Sequence, residues 1–221
     1  SRSRNPGWLI ILTSMPVAIS AADNPLIKQL ARLGEASERR NQGLFLAEGL
    51  RLIDAFIQAG WQPVHLLVRD DETLPPAWPA AITVSARVAQ RLSRATSASG
   101  YLAAFALPSV PALNPAAGGL VLVGVADPGN IGTLIRSAAA FGRRQIIVDG
   151  GADPFGPKAV QASAGALALV HLFNGDASLL PSDARACALV VSGGQPPSAF
   201  SAGPRWLVIG GEANGIPPAW L

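Results

Sequence analysis

The sequence predicts an α/β protein in two parts: a small layered α/β unit, then a mostly parallel sheet with flanking helices. Three observations carry this. Short continuous apolar runs alternate with longer segments whose apolar residues recur every three to four positions, which is the pattern of strands and amphipathic helices in turn. The alternation is more regular in the second half, as expected of βαβ units. Between the halves, Pro108-Ser-Val-Pro-Ala-Leu-Asn-Pro-Ala-Ala-Gly-Gly119 holds three prolines and two glycines, a stretch that sustains neither a helix nor a central strand. The expected division is an N-terminal extension over 1–20, a first domain over 21–107, a linker over 108–119 and a second domain over 120–221.

In the first half, Asn24-Pro25 reads as a helix start with proline at the first helical position. Leu26, Ile27, Leu30 and Leu33 follow at helical spacing, with Lys28, Arg32, Glu35, Arg39 and Arg40 on the polar positions. Leu44-Phe45-Leu46 is a short strand. Leu50, Ile53, Phe56 and Ile57 form a second helical stripe, closed by Gly60. Val64–Val68, Ile82–Val84 and Tyr101–Leu107 read as strands, with a polar helix around Arg87–Arg94 between the last two. In the second half, Leu120–Val125 is the unbroken apolar run of a buried parallel strand. A helix over Ile131–Phe141 follows, then a strand at Gln145–Val148, a helix around Pro157–Leu167, and strands at Leu169–Phe173, Ala188–Val191 and Trp206–Ile209.

Composition narrows the function classes. Of 221 residues, 49% are hydrophobic and 14% charged, enough for a sizeable core and unlike a disordered chain. Mean hydropathy is positive, at +0.33, yet no run of 18 residues lacks polar punctuation, so no membrane partner is expected. Trp8–Leu12 follows Arg2 and Arg4 but is short for a signal peptide, and Met15 is the only methionine. Residues 1–14 are read as upstream sequence before a natural start at Met15. One cysteine, Cys187, allows no internal disulfide and fits a reducing, cytoplasmic setting. Two distant histidines and that cysteine give no expected metal site. Net charge is +3 and the pI near 9.7, and of 17 basic residues only Lys28 and Lys158 are lysines. Arginine's planar fork suits phosphates and stacks on bases, so a nucleic-acid partner is compatible with this balance.

Open parallel sheets bind ligands beyond the carboxyl ends of their strands, so the residues following each strand matter most. After the first strand of the second half comes Asp127-Pro-Gly-Asn-Ile-Gly-Thr-Leu-Ile-Arg136. Asn130 is placed to cap the next helix, whose start offers free N–H groups to an anion, and Arg136 lies one to two turns in. The plainer alternative is an ordinary capped helix with a solvent-facing arginine. After the last strand comes Gly210-Gly-Glu-Ala-Asn-Gly-Ile-Pro217, where glycines let a ligand lie on the backbone and Glu212 sits at the sheet mouth, near Arg136 if the loops adjoin. Its plainer alternative is a turn. No G-x-G-x-x-G follows a strand, and no Walker lysine is present.

These two loops resemble the first two motifs of the SpoU (TrmH-like) RNA methyltransferase family of the SPOUT superfamily. Asp127–Arg136 with Ser137-Ala-Ala-Ala-Phe-Gly142 resembles the first motif, and Leu207–Ile216 the second. Asp153-Pro-Phe-Gly-Pro-Lys158 with Ala162-Ser-Ala-Gly-Ala166 resembles the segment between them. Asn24–Lys28, Arg40 and Gly43–Arg51 resemble the RNA-recruiting domain that precedes many members. The resemblance spans about 24–217. It implies transfer of a methyl group from S-adenosylmethionine to a ribose 2′-hydroxyl of ribosomal or transfer RNA, a sheet whose C-terminal segment threads a trefoil knot, and a homodimer.

Carried over by position, the resemblance makes Asn130, Arg136 and Glu212 catalytic. It makes Val208, Ile209, Gly210, Gly211, Gly215 and Ile216 cofactor-binding, with Ser192 and Gly193 as further candidates. Lys28, Arg32, Arg39, Arg40, Arg51, Arg87, Arg91 and Arg94 form the expected RNA surface, against the alternative of solvated helix faces. The family also carries a third motif with a Ser-Leu-Asn core that completes the adenosine pocket; the sequence in hand reaches Trp220-Leu221 without it. Two other readings therefore stand beside the enzyme: a non-catalytic RNA-binding member of the same fold, and a truncated, inactive fragment.

Overall fold

The structure is a computed structural model and describes residues 18–199 and 205–220. The apolar run Trp8–Leu12 and Met15 lie outside the described residues. Two five-stranded sheets share the chain. The first contains β1 (Ala18–Ile19), β2 (Leu44–Glu48), β3 (Pro63–Arg69), β4 (Ile82–Val84) and β5 (Tyr101–Ala106), in the order β1-β4-β3-β5-β2. β4 runs parallel to β1 and β3, whereas β5 is antiparallel to β3 and β2.

Helix α1 (Pro25–Ala31) starts as its sequence implies: the Asn24 side chain accepts the Leu26 N–H at 2.9 Å, and Ile27 and Leu30 are fully buried. The helical pattern does not run on to Arg40, however. A 3-10 turn at Arg32–Gly34 and an extended Glu35 interrupt it, and α2 (Ala36–Gln42) starts afresh. That break rotates Arg39 away from the polar face and into the protein, where it is 4% exposed. α3 (Leu50–Gln58) buries Leu52, Ile53 and Phe56; Leu50 is exposed instead, because the helix begins there and the apolar stripe is taken up by Leu52. α4 (Ala86–Leu92) is capped by Ser85, which accepts the Val88 N–H.

The second sheet contains β6 (Gly119–Val123), β7 (Gln145–Asp149), β8 (His171–Asn174), β9 (Ala186–Ala188) and β10 (Trp206–Gly210). It is parallel throughout, in the order β8-β7-β6-β10-β9. Chain order reverses at the β6/β10 boundary, the position where open parallel sheets form a ligand crevice. α5 (Pro128–Ala140) and α6 (Pro157–Ser163) pack closely: a Cβ on Gly132 would come within 2.4 Å of the Ala159 carbonyl oxygen.

Two elements depart from the sequence expectation. α6 ends at Ser163 because Ala164 and Gly165 both adopt left-handed backbone, with φ of 49° and 89°. A 3-10 turn over Ala166–Leu169 follows, so β8 opens at His171 rather than Leu169. β9 covers Ala186–Ala188; Leu189 still donates its N–H to the Val208 carbonyl at 2.9 Å, but Leu189, Val190 and Val191 are exposed. Only Trp206, Leu207 and Val208 of β10 face β9, which fixes how far pairing extends.

The sheets are joined by one continuous core. Phe45 of β2 lies 5.6 Å from Phe56 and 5.0 Å from Phe155, which belongs to the second half. Trp61 Nε1 donates to the Ala168 carbonyl at 3.3 Å. A Cβ on Gly165 would sit 2.5 Å from that of Ala55, so only glycine lets α3 approach here. The polar link is Arg39 to Asp153: Nη2 and Nε donate to Oδ2 at 2.6 and 3.0 Å, while Nη1 donates to the Leu33 and Gly34 carbonyls. Asp153 Oδ1 in turn accepts the Phe155 N–H at 2.8 Å.

Replacing Arg39 with Met strands the Asp153 carboxylate and two carbonyls. A loss of about 2–4 kcal/mol is expected, below the upper end for buried pairs because the Asp153 side chain keeps 30% exposure. Equilibrium urea unfolding of the two proteins measures it.

Candidate active site

The site grows from the ends of β6 and β10. Gly124 leaves β6 with φ 62° and donates its N–H to the Asp149 carbonyl at 2.8 Å; Ala152 N–H donates to the Val125 carbonyl at 2.9 Å. These bonds bring the loops after β6 and β7 side by side. Asp127 then caps α5, its Oδ1 accepting the Asn130 N–H at 3.0 Å, with Pro128 at the first helical position. The expectation that Asn130 is the cap is thus corrected: Asp127 holds that role, and Asn130 sits in the first turn with its side chain available.

That side chain reaches the other loop. Asn130 Nδ2 donates to Glu212 Oε1 at 2.5 Å, across 82 positions of sequence. The β10 loop is tight enough to hold Glu212 in place, since Gly211 N–H donates to Val123 O at 2.7 Å and Gly215 N–H to Gly211 O at 3.0 Å. A Cβ on Gly210 would lie 2.2 Å from Gly215 O, and one on Gly211 2.2 Å from Gly124 O. Gly211 therefore serves close backbone packing between the β6 and β10 loops, and Gly210 the tight fold of the β10 loop on itself.

Electrostatics reinforce this arrangement. The Lys158 ammonium, 2.7 Å from Asp127 Oδ2, holds the Asp127 carboxyl below the usual carboxylate range, helped by the backbone N–H of Asn130. Glu212 is held low by its own backbone N–H first, then by the Asn130 amide, against partial desolvation and the lesser opposing charge of Asp127. Both stay ionised at neutral pH. Arg136 is exposed on α5, six residues beyond Asn130, or about 9 Å of helix rise. The loops do adjoin, but Glu212 pairs with Asn130 and not with Arg136. Among the described residues, the Arg136 guanidinium has no ion-pair partner.

The expected cofactor residues divide. The Val208 side chain is fully buried, and that of Ile216 packs on the cluster of Val121, Val123, Ile147, Phe173 and Trp206, so both offer mainly backbone. Ile209 and Gly210 are half-buried at the end of β10, Gly211 is buried, and Gly215 is exposed. Nothing lies within 4 Å of where a Cβ on Gly124 or Gly215 would be, so the backbone there faces open space. Ser192 and Gly193 are exposed in the irregular segment after β9. Of the expected RNA cations, Lys28, Arg32, Arg40, Arg51, Arg87, Arg91 and Arg94 are exposed. Arg39 is corrected: buried and engaged by Asp153, it joins the halves and has no free donor face for RNA.

Two participants escaped sequence reasoning. Lys158 shows no periodic signal, and only the fold brings it to Asp127. Trp220 Nε1 donates to Asp149 Oδ2 at 2.7 Å, folding the tail back over the end of β7. Among the described residues no helix is long and apolar enough to cross a membrane.

The second half is an open parallel α/β sheet with an Asn130–Glu212 bridge over its switch point. Comparison gives the family. The model of the SpoU rRNA methylase family matches residues 119–221, and that of the MRM3-like substrate binding domain matches residues 24–103. This chain belongs to the SpoU family. A tRNA/rRNA methyltransferase of Synechocystis, itself uncharacterised, is 31% identical over 173 residues, which is 72% of this chain and 62% of that protein. A solved RNA 2′-O ribose methyltransferase is 29% identical with a TM-score of 0.72, covering 92% of this chain and 85% of that one. The SpoU methyltransferase AviRb of Streptomyces viridochromogenes, solved with S-adenosylmethionine, is 25% identical with a TM-score of 0.76, covering 89% and 84%. The chain spans roughly 60% of the length of the curated relatives it matches first.

The Asp127–Lys158 pair gives a test by pH. A carboxyl with a depressed pKa adds stability above its unfolded pKa and loses that increment as pH falls through the folded value. Asp127→Asn keeps the capping function while removing the charge. The wild type should therefore melt higher than the variant at pH 7, and the gap should close below about pH 4, as read by thermal melts across a pH series.

Proposed function

We propose that this chain methylates a ribose 2′-hydroxyl of ribosomal or transfer RNA, with S-adenosylmethionine as donor. The observation that carries the reading is the 2.5 Å bridge between Asn130 and Glu212, which locks the β6 and β10 loops together at the switch point of the sheet. The residues present fit the donor: the end of β10 from Val208 to Gly211, with Gly215 and Ile216, presents backbone beside open space at Gly124 and Gly215. When bound, the donor supplies a methyl group on a positively charged sulfur.

The protein's own groups then have separable tasks. A carboxylate only accepts hydrogen bonds, so Glu212 obliges Asn130 to point Nδ2 toward it. Asn130 Oδ1 is thereby turned outward as an acceptor for the ribose hydroxyl. A guanidinium carries donors and no acceptor, so Arg136 does not serve as the base. It binds an RNA phosphate, and that phosphate oxygen is the acceptor of the hydroxyl proton. The gain comes from orientation, for which intramolecular models put the ceiling at about 7–11 kcal/mol.

The first sheet and its helices are the RNA-recruiting unit in this reading, with exposed Lys28, Arg32, Arg40, Arg51, Arg87, Arg91 and Arg94 as its phosphate contacts. The protein works as a homodimer in the cytoplasm.

Arg136→Ala should lower transfer of tritiated methyl groups to RNA by at least about 100-fold, with an unchanged thermal melt; retained activity refutes the role. RNA affinity should fall steeply with salt, by about 0.7 log units per log unit of salt for each single-strand phosphate contacted. Fluorescence anisotropy over a salt series checks this, and a flat response counts against the basic surface.

A further inference from the structure

Resting on the methyltransferase reading above, we propose that the cleft between the two sheets seats an unstacked nucleotide of the RNA, one that neighbours the methylated ribose. The cleft has a volume of about 790 Å³, within the range of small-ligand sites. Its floor is aliphatic, with Leu92 and Leu102 from the first half and Val160 from the second. Its polar groups stand at the two sides: Arg94 on one, Lys158 and Gln161 on the other.

Both walls are built. On the first side, both oxygens of Glu48 accept the Ser93 hydroxyl, at 2.7 and 2.8 Å, and Oε1 also takes the Ser99 N–H at 2.8 Å. Ser93 Oγ accepts the Ala95 N–H at 2.9 Å, and the Gln90 amide bonds the Ala95 carbonyl and the Ala98 N–H, each at 3.1 Å. These bonds hold the 93–99 loop in shape, and they occupy the one carboxylate of the lining. On the second side, Gly129 lies in the first turn of α5 next to Asn130, and a Cβ there would be 3.3 Å from Lys158 Cε. The cleft therefore opens onto the loop assigned to the reaction.

The chemistry of this lining selects its occupant. The apolar lining takes a base, and the exposed Arg94 guanidinium takes a phosphate, the Lys158 ammonium being already held by Asp127 at 2.7 Å. Sequence-selective RNA recognition works on unstacked bases of this kind. The Arg39–Asp153 pair and the Gly165–Ala55 contact fix the spacing of the walls, so the space exists before RNA arrives.

The test uses the full chain and a random-sequence single-stranded RNA of roughly 12 nucleotides carrying 4-thiouridine. Ultraviolet crosslinks should map to peptides within residues 94–99 or 157–161. Arg94→Glu, and Gln161→Trp placed to fill the cleft, should each weaken binding by about tenfold or more, with Gln161→Trp also reducing methyl transfer. Arg185→Glu, the same charge change just before β9 at the far edge of the second sheet, should bind as the wild type does. Crosslinks confined to other faces, or wild-type binding by both variants in a protein that still methylates RNA, would overturn the cleft and leave the enzyme reading intact. A wild-type protein that neither binds RNA nor transfers methyl groups overturns both. If Gln161→Trp lowers the melting temperature, Arg94→Glu and the crosslink map decide.

Discussion

The buried contact between Arg39 and Asp153 is the constraint on which the arrangement of the two sheets depends. A guanidinium that is 4% exposed is costly unless each donor face is matched. Here one side meets the carboxylate and the other meets the Leu33 and Gly34 carbonyls left open by the 3-10 turn. Removing the turn would point Arg39 into solvent, and removing Asp153 would leave a buried cation without its anion. The same carboxylate, through its second oxygen, sets the backbone of Phe155, whose ring joins the aromatic cluster around Phe45. One ion pair therefore coordinates a helix break, an aromatic contact and the relation of the two halves.

With that relation fixed, the chemistry of the second sheet becomes local. Gly211 lets the β6 and β10 loops run within backbone contact and Gly210 lets the β10 loop fold back on itself, which places Asn130 in reach of Glu212. A Cβ at either Gly210 or Gly211 would collide with backbone atoms that have no freedom to move aside. The two carboxylates of the site then serve different neighbours. Asp127 spends its oxygens on Lys158 and the α5 terminus, and Glu212 spends its charge on Asn130. Neither is raised toward neutrality, so both act as fixed acceptors that orient donors and neither stores a proton.

How much of this was legible in the sequence follows from the range of each interaction. The central strands of the second half were readable because a strand buried on both faces must be apolar throughout, as Leu120–Val123 is. The two loops were readable because functional residues of a parallel sheet follow its strands. Arg39 was misplaced because its spacing matches a polar face, and only the turn at Arg32–Gly34 changes its direction. The left-handed Ala164 carries no sequence signal at all, being the only non-glycine residue with positive φ among those described. Lys158 and Trp220 find their partners across 31 and 71 positions, a separation that periodicity does not encode. The departures share one cause: each is a side-chain or backbone choice decided by a tertiary neighbour.

A rigid junction has a consequence for recognition that a flexible tether would not. If the first half merely recruited RNA, its distance from Asn130 would vary and any nucleotide within reach could be presented. A shared core makes that distance a constant, so under the proposed function an RNA gripped by the first half would deliver a ribose to the second only where its own fold matches the spacing. Under that reading the fixed spacing selects the shape of the RNA, and the unstacked base proposed for the cleft adds a base contact to it. Contacts that hold the halves together, Arg39–Asp153, Gly165–Ala55 and Trp61–Ala168, thereby act on selectivity although none of them faces the substrate. Their contribution to stability and their contribution to specificity are the same geometric fact.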